Sequence, residues 1–157
     1  MRKAFSMVTA IFVIVILATI AMLVLIMSST TTYTTTTQYR HEQAALYAKS
    51  YTELAIMSVL DYNRTQNNNC VNQINGTIGN YNDGSGYDIT TIISYIGNTP
   101  IGCNKPSNAN STTLSNMPDI IIDVYVRYKD PEHVATSGAA GATAPAITYH
   151  RRTLQKI

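Results

Sequence analysis

Three histidines, two cysteines and a few acidic residues beside glycine turns are the side chains whose types could do chemistry, and spacing decides how much they can do. His41, His133 and His150 lie far apart, with no acidic partner at ligand spacing, so they read as solvated rings and not as a metal centre or a catalytic dyad. No Gly-x-Ser-x-Gly, phosphate-binding loop or His-Glu-x-x-His pattern occurs. Tyr81-Asn82-Asp83-Gly84-Ser85-Gly86 is a turn, and Asp83 and Asp88 stand on either side of its glycines, but the remaining carboxylates of a calcium loop are missing. Asn63, Asn75 and Asn110 each open an Asn-x-Ser/Thr glycosylation pattern, and Asp61 stands two residues before Asn63. In a chain this rich in Asn and Thr such matches arise by chance. Arg151-Arg152 reads as a solvated pair on a strand face. The expectation is a protein that is not an enzyme, with no catalytic residues, no cofactor and no metal.

Cys70 and Cys103 are the only cysteines. No Cys-x-x-Cys or His-x-x-x-His pair accompanies them, which argues against zinc. An even, small count in an exported domain favours a bridge over two free thiols. Closing a loop of this length stabilises the fold by about 3–4 kcal/mol in the chain-entropy model.

Charge is sparse and nearly balanced, with 11 basic against 9 acidic residues, which leaves no basic stripe for nucleic acid. Tyr is abundant, at 11 copies, while Trp is absent. Tyr suits a partly wet surface or packing between subunits, its ring being apolar and its hydroxyl able to stay hydrated.

What must position these residues is set by the stretch from Ala4 to Tyr39, which has no charged side chain. Its first part, Phe5 to Met27, is apolar all round and long enough for a ~30 Å hydrocarbon core. It reads as a membrane helix. Arg2 and Lys3 before it, with no cation again until Arg40, place the N-terminus on the cytoplasmic side. A cleavable secretory signal has a shorter apolar centre and a small-residue cut site, which Ile26-Met27-Ser28-Ser29 does not supply. An ordinary single-span anchor fits the hydropathy equally well.

Met1-Arg2-Lys3-Ala4 followed by Phe5-Ser6-Met7-Val8 resembles the start of a type IV pilin or type II secretion pseudopilin: a short basic leader, a small residue, Phe, then apolar helix. The resemblance implies that a prepilin-type peptidase cuts between Ala4 and Phe5 and that the new Phe5 terminus is N-methylated. Most members carry Gly where this chain has Ala4. The family's fifth residue after the cut is usually Glu, which neutralises the terminal amine of a neighbouring subunit; here it is Thr9, which has no charge. Absence of that Glu occurs in the family in a minor pseudopilin at the filament tip, so the resemblance points towards a minor or tip-type subunit. It further implies assembly through Phe5, Thr9 and Phe12 with other pilin-like subunits, in the bacterial inner membrane, with the C-terminal domain periplasmic. The motif covers about 25 residues, and the long helix extends it to about 60.

The chain then divides into a leader at 1–4, a transmembrane and assembly helix at 5–27, a Thr-rich weak helix or linker at 28–37, and a periplasmic domain at 38–157. The linker has seven threonines in ten residues, an adverse helix propensity of about 4 kcal/mol at ~0.6 each. Hydroxyls bonding to carbonyls one turn earlier could hold it helical. Helix resumes from Gln38 to Tyr62, with Tyr47, Tyr51, Leu54, Ser58 and Tyr62 as the stripe expected to pack on a sheet, and Ala48, Ala55 and Val59 beside it. Tyr87 to Ile96 reads as a short helix or strand, ambiguous in period, with helix or mixed structure favoured for Ile89 to Ile96; Asn104 to Ser115 is expected as surface loop. Asp119 to Tyr128 alternates cleanly, with Ile120, Ile122, Val124, Val126 and Tyr128 facing the helix. Ala146 to Leu154 can pair back antiparallel, with Ile147 and Tyr149 on one face. The expected class is α+β, a long N-terminal helix on a small antiparallel sheet, which is also the pilin-like architecture. The expected function is a non-catalytic pilin-like subunit of a secretion, DNA-uptake or pilus machine. The alternative is an unprocessed, membrane-anchored protein with a periplasmic binding domain.

Overall fold

The computed structural model describes residues 2–62, 70–97, 102–106, 119–130 and 144–157, with side chains in the first helix from residue 7 onward. A single helix, α1, runs Arg2–Asp61, and the chain forms two compact units, Met1–Gln38 and Tyr39–Ile157. Asn63, Asn110 and His133 lie outside the described residues, as does most of the expected surface loop.

In the first unit the Thr-rich run is helical. Each of its seven threonines, Thr30, Thr31, Thr32, Thr34, Thr35, Thr36 and Thr37, donates its hydroxyl to a carbonyl three or four residues earlier, at 2.8–3.1 Å. The polar atoms of these side chains are thereby satisfied inside the helix, without water. Propensity disfavours the run, and hydroxyl bonding offsets part of that cost.

The second unit is built from the end of α1 and four strands, β1 Gln73–Ile78, β2 Tyr87–Ile96, β3 Asp119–Lys129 and β4 Ala146–Lys156. They form one antiparallel sheet in the order β1-β2-β3-β4, so each strand pairs with its predecessor in sequence. Ile120, Ile122, Val124, Val126 and Tyr128 of β3 are buried, as the alternation requires, and β2 buries Tyr87, Ile89, Thr91, Ile93 and Tyr95 beside them. Ala44, Ala48, Ala55 and Val59 of α1 complete the same core, with Ile147 and Tyr149 of β4 packed partly against it.

Three expectations are corrected. Of the two forms open to Tyr87 to Ile96 it takes the strand, not the helix or mixed structure favoured for Ile89 to Ile96: its burial alternates residue by residue, and it lies between β1 and β3 with partners on both sides. Six of its ten residues are β-branched, which favours the pleated form once both neighbours are present. Strand β1 lies where no element is expected from the sequence. The buried row of α1 is Ala44, Ala48, Thr52, Ala55 and Val59, while Leu54 stays 44% exposed and Tyr47 and Tyr51 sit at the flank. Small side chains let helix and sheet approach closely, and the rings then close the side of the layer.

Tyr51 reaches β1 at Gly76, where a Cβ would stand 1.8 Å from the Tyr51 hydroxyl oxygen. Tyr87 packs edge-on against Tyr47 and tilted against Tyr128, and its hydroxyl donates to Gln43 Oε1 at 2.8 Å. Burial raises the pKa of both Tyr87 and Tyr128, with Arg40 pulling the other way. Arg40 also donates to the Gly84 carbonyl at 2.6 Å, tying α1 to the turn before β2.

Candidate functional site: the exposed apolar helix

The residues expected to act lie along the first part of α1. Its backbone is helical through Ala4 and Phe5, whose side chains are outside the described ones. Thr9 is exposed, and Phe12, three residues on and therefore on the same face, is 70% exposed. From Met7 to Met27 every large apolar side chain is at least half exposed, on all sides of the helix. By length and composition this helix can cross a membrane. A soluble helix buries one stripe; one that is apolar all round requires lipid or neighbouring helices as its surroundings. Thr19, inside the apolar stretch, satisfies its hydroxyl on the Ile16 carbonyl at 2.8 Å.

Cys70 and Cys103 are joined in a disulfide, with Cα atoms 5.0 Å apart. It fastens residues 102–104 to the start of the sheet, where Asn72 is the organiser. The Asn72 side chain donates to the Gly102 carbonyl and accepts from the Asn104 amide, and its own carbonyl accepts from Ile93 N–H. Tyr95 N–H donates to the Asn104 carbonyl and the Tyr95 hydroxyl to that of Val71. The bridge is thus embedded in a hydrogen-bonded corner.

The side chains with possible chemistry are engaged in structural pairs. Asp83 accepts from the Ser85 amide and hydroxyl within its turn, which holds its carboxyl below the usual value. Asp88 pairs across the sheet with Arg127. Asn75 is an exposed strand residue that accepts from Gln73. His41 meets Tyr149 edge-on at 5.3 Å.

His150 belongs to a cluster that only strand register assembles. Asp123, buried on the face of β3 away from α1, receives Arg152 through two hydrogen bonds of 2.7 and 3.0 Å and lies 2.7 Å from His150 Nε2. Tyr125 stacks on the His150 ring at 4.4 Å. The Arg152 hydrogen bond first, and the His150 contact after it, lower the Asp123 pKa against the opposing effect of burial. The signal was cross-strand: Asp123 is opposite Arg152 and Tyr125 opposite His150, a relation that exists only once register is known. Among the described residues no group of three or more His, Cys, Asp or Glu could hold a metal ion.

These elements define an α+β protein, one long N-terminal helix followed by a four-stranded antiparallel sheet. Comparison with protein-family models, with curated proteins and with solved structures finds no match to this chain.

Proposed function

We propose that this chain is a non-catalytic, pilin-like subunit that enters the inner membrane through α1 and assembles by lateral packing of that helix. Its outer domain, residues 38–157, is then periplasmic, and its partners are a prepilin-type peptidase and other pilin-like subunits. The observation that carries the reading is the exposure of apolar side chains on every side of α1 between Met7 and Met27, in a helix that continues to Asp61 within a disulfide-bridged domain. Such a helix gains most of its free energy from surroundings that lipid supplies before assembly and neighbouring helices supply after it. The Met1–Val8 pattern adds the processing step, a cut between Ala4 and Phe5. Thr9, in place of a carboxylate, favours a minor or tip position. The machine is a type II secretion system, a DNA-uptake system or a type IV pilus.

Replacing Ala4 by Leu puts a bulky residue at the cut and is expected to leave the leader attached. Intact mass of the membrane-extracted variant reads this directly, and normal processing of Ala4→Leu would count against the proposal.

A further inference from the structure

The sheet ends on β4, which pairs with β3 along one side only; among the described residues no strand lies beyond it. Nor does any loop among those residues form a backbone hydrogen bond to Ala146–Lys156 on the outer side. In an antiparallel edge strand every second residue directs its N–H and C=O away from its neighbour, so β4, eleven residues long, offers a row of donors and acceptors that no described residue meets. The opposite edge, β1, is shorter, at six residues, and Tyr51 sits over its Gly76.

The charge on β4 is all of one sign: Arg151, Arg152 and Lys156, with His150 and no acidic residue. Arg152 is spent on Asp123. Arg151 is not: its Nε is buried and has no hydrogen-bond partner, and among the described residues it enters no ion pair. It stands mid-strand, opposite Val124, on the face of the sheet that carries Tyr149. A guanidinium N–H out of water and without an acceptor is costly and wants one.

We infer that β4 is a docking edge for an extended, acidic segment of another protein, which adds as a fifth strand and sets a carboxylate beside Arg151. Main-chain hydrogen bonds supply affinity and the carboxylate sets register. A second copy of this chain brings the same positive charge to the edge and is disfavoured as its occupant. Antiparallel pairing of β4 with itself about Arg151 puts Arg151 against Arg151, and like charges directly opposite destabilise a sheet. This inference stands apart from the proposed role of α1, because it uses only the outer domain.

The test is amide hydrogen exchange on the full chain in detergent micelles, with the peptide Val-Thr-Val-Glu-Val-Thr-Val as probe and its Glu-to-Gln and Glu-to-Lys forms as controls. The acidic peptide is expected to slow exchange at alternate amides of β4 by about tenfold or more, and the Lys form to bind at least tenfold more weakly. Arg151→Gln should weaken the acidic peptide about tenfold and leave the Gln form unchanged, with circular dichroism confirming that the variant is folded. N-methylating alternate amides of the peptide on its bonding edge should abolish the effect, independently of any variant. No slowing at β4, slowing along β1 instead, equal binding of acidic and basic peptides, or concentration-dependent protection of β4 without peptide would each overturn the inference.

Discussion

Single residues decide how closely the layers of this protein approach and where its charges are parked. Gly76 is the clearest case, because the Tyr51 hydroxyl occupies the space a Cβ needs. Gly76→Ala must push the Tyr51 ring off β1, at a cost of about 1–3 kcal/mol. In a Tyr51→Ala background the same change should cost almost nothing, so urea unfolding of the two singles and the double should give a coupling of about 1 kcal/mol or more. A coupling near zero would mean that the ring moves freely. Asp123 is the second case. Its pKa is lowered below the ordinary 3.8, chiefly by Arg152, so the folded state holds the carboxylate charged more firmly than the unfolded chain does. The stability this contributes is complete above the unfolded value and lost as pH falls through the lower folded one. Asp123→Asn should therefore be less stable than the parent at pH 7, by about 1–2 kcal/mol, with the gap closing below roughly pH 4. Unfolding midpoints measured across pH 2–7 check this; a gap unchanged at low pH contradicts the assignment.

At the scale of elements, the Thr run of α1 is a helix held together partly by its own side chains. Its seven hydroxyls all bond within the helix, yet intrinsic propensity works against each of those residues. Amides of Thr34 to Gln38 should exchange at least about tenfold faster than those of Ala44 to Val59, which the sheet covers. Equal protection would show that the run is no weaker than its flanks. Which elements could be read from sequence follows from the same physics. Alternation in Asp119–Tyr128 marked β3 and its buried face, and Ala146–Leu154 marked β4, because in each the polar and charged residues fall on the face opposite the apolar one or among its tyrosines. In β2 the isoleucines at 89, 92, 93 and 96 sit at a spacing that also fits a helix; Ile89 and Ile93 lie on the buried face and Ile92 and Ile96 on the half-buried one, and period alone cannot separate the two forms. β1 has only Ile74 and Ile78 as apolar residues, with a glycine between them, so nothing local identified it. On α1 the tyrosines drew attention by size, whereas closeness of packing selected the alanines. The disulfide pairing was legible from count and compartment; the Asp123 cluster and the free edge at Arg151 were not, since both depend on register.

For the molecule as a whole, one chain joins a helix segment that needs an apolar environment to a disulfide-bridged α+β domain that has its own core. The proposed assembly role rests on that division and on the first eight residues, where Arg2 and Lys3 precede Ala4, Phe5 and the apolar run. A simple anchor needs the same hydropathy but no cut, so processing separates the two most directly. The decisive measurement is the intact mass and N-terminal residue of the protein extracted from its native membrane. A chain beginning at N-methylated Phe5 is the expected result; one beginning at Met1, or at Ser28 or Ser29 after loss of the whole apolar stretch, would contradict the assembly proposal.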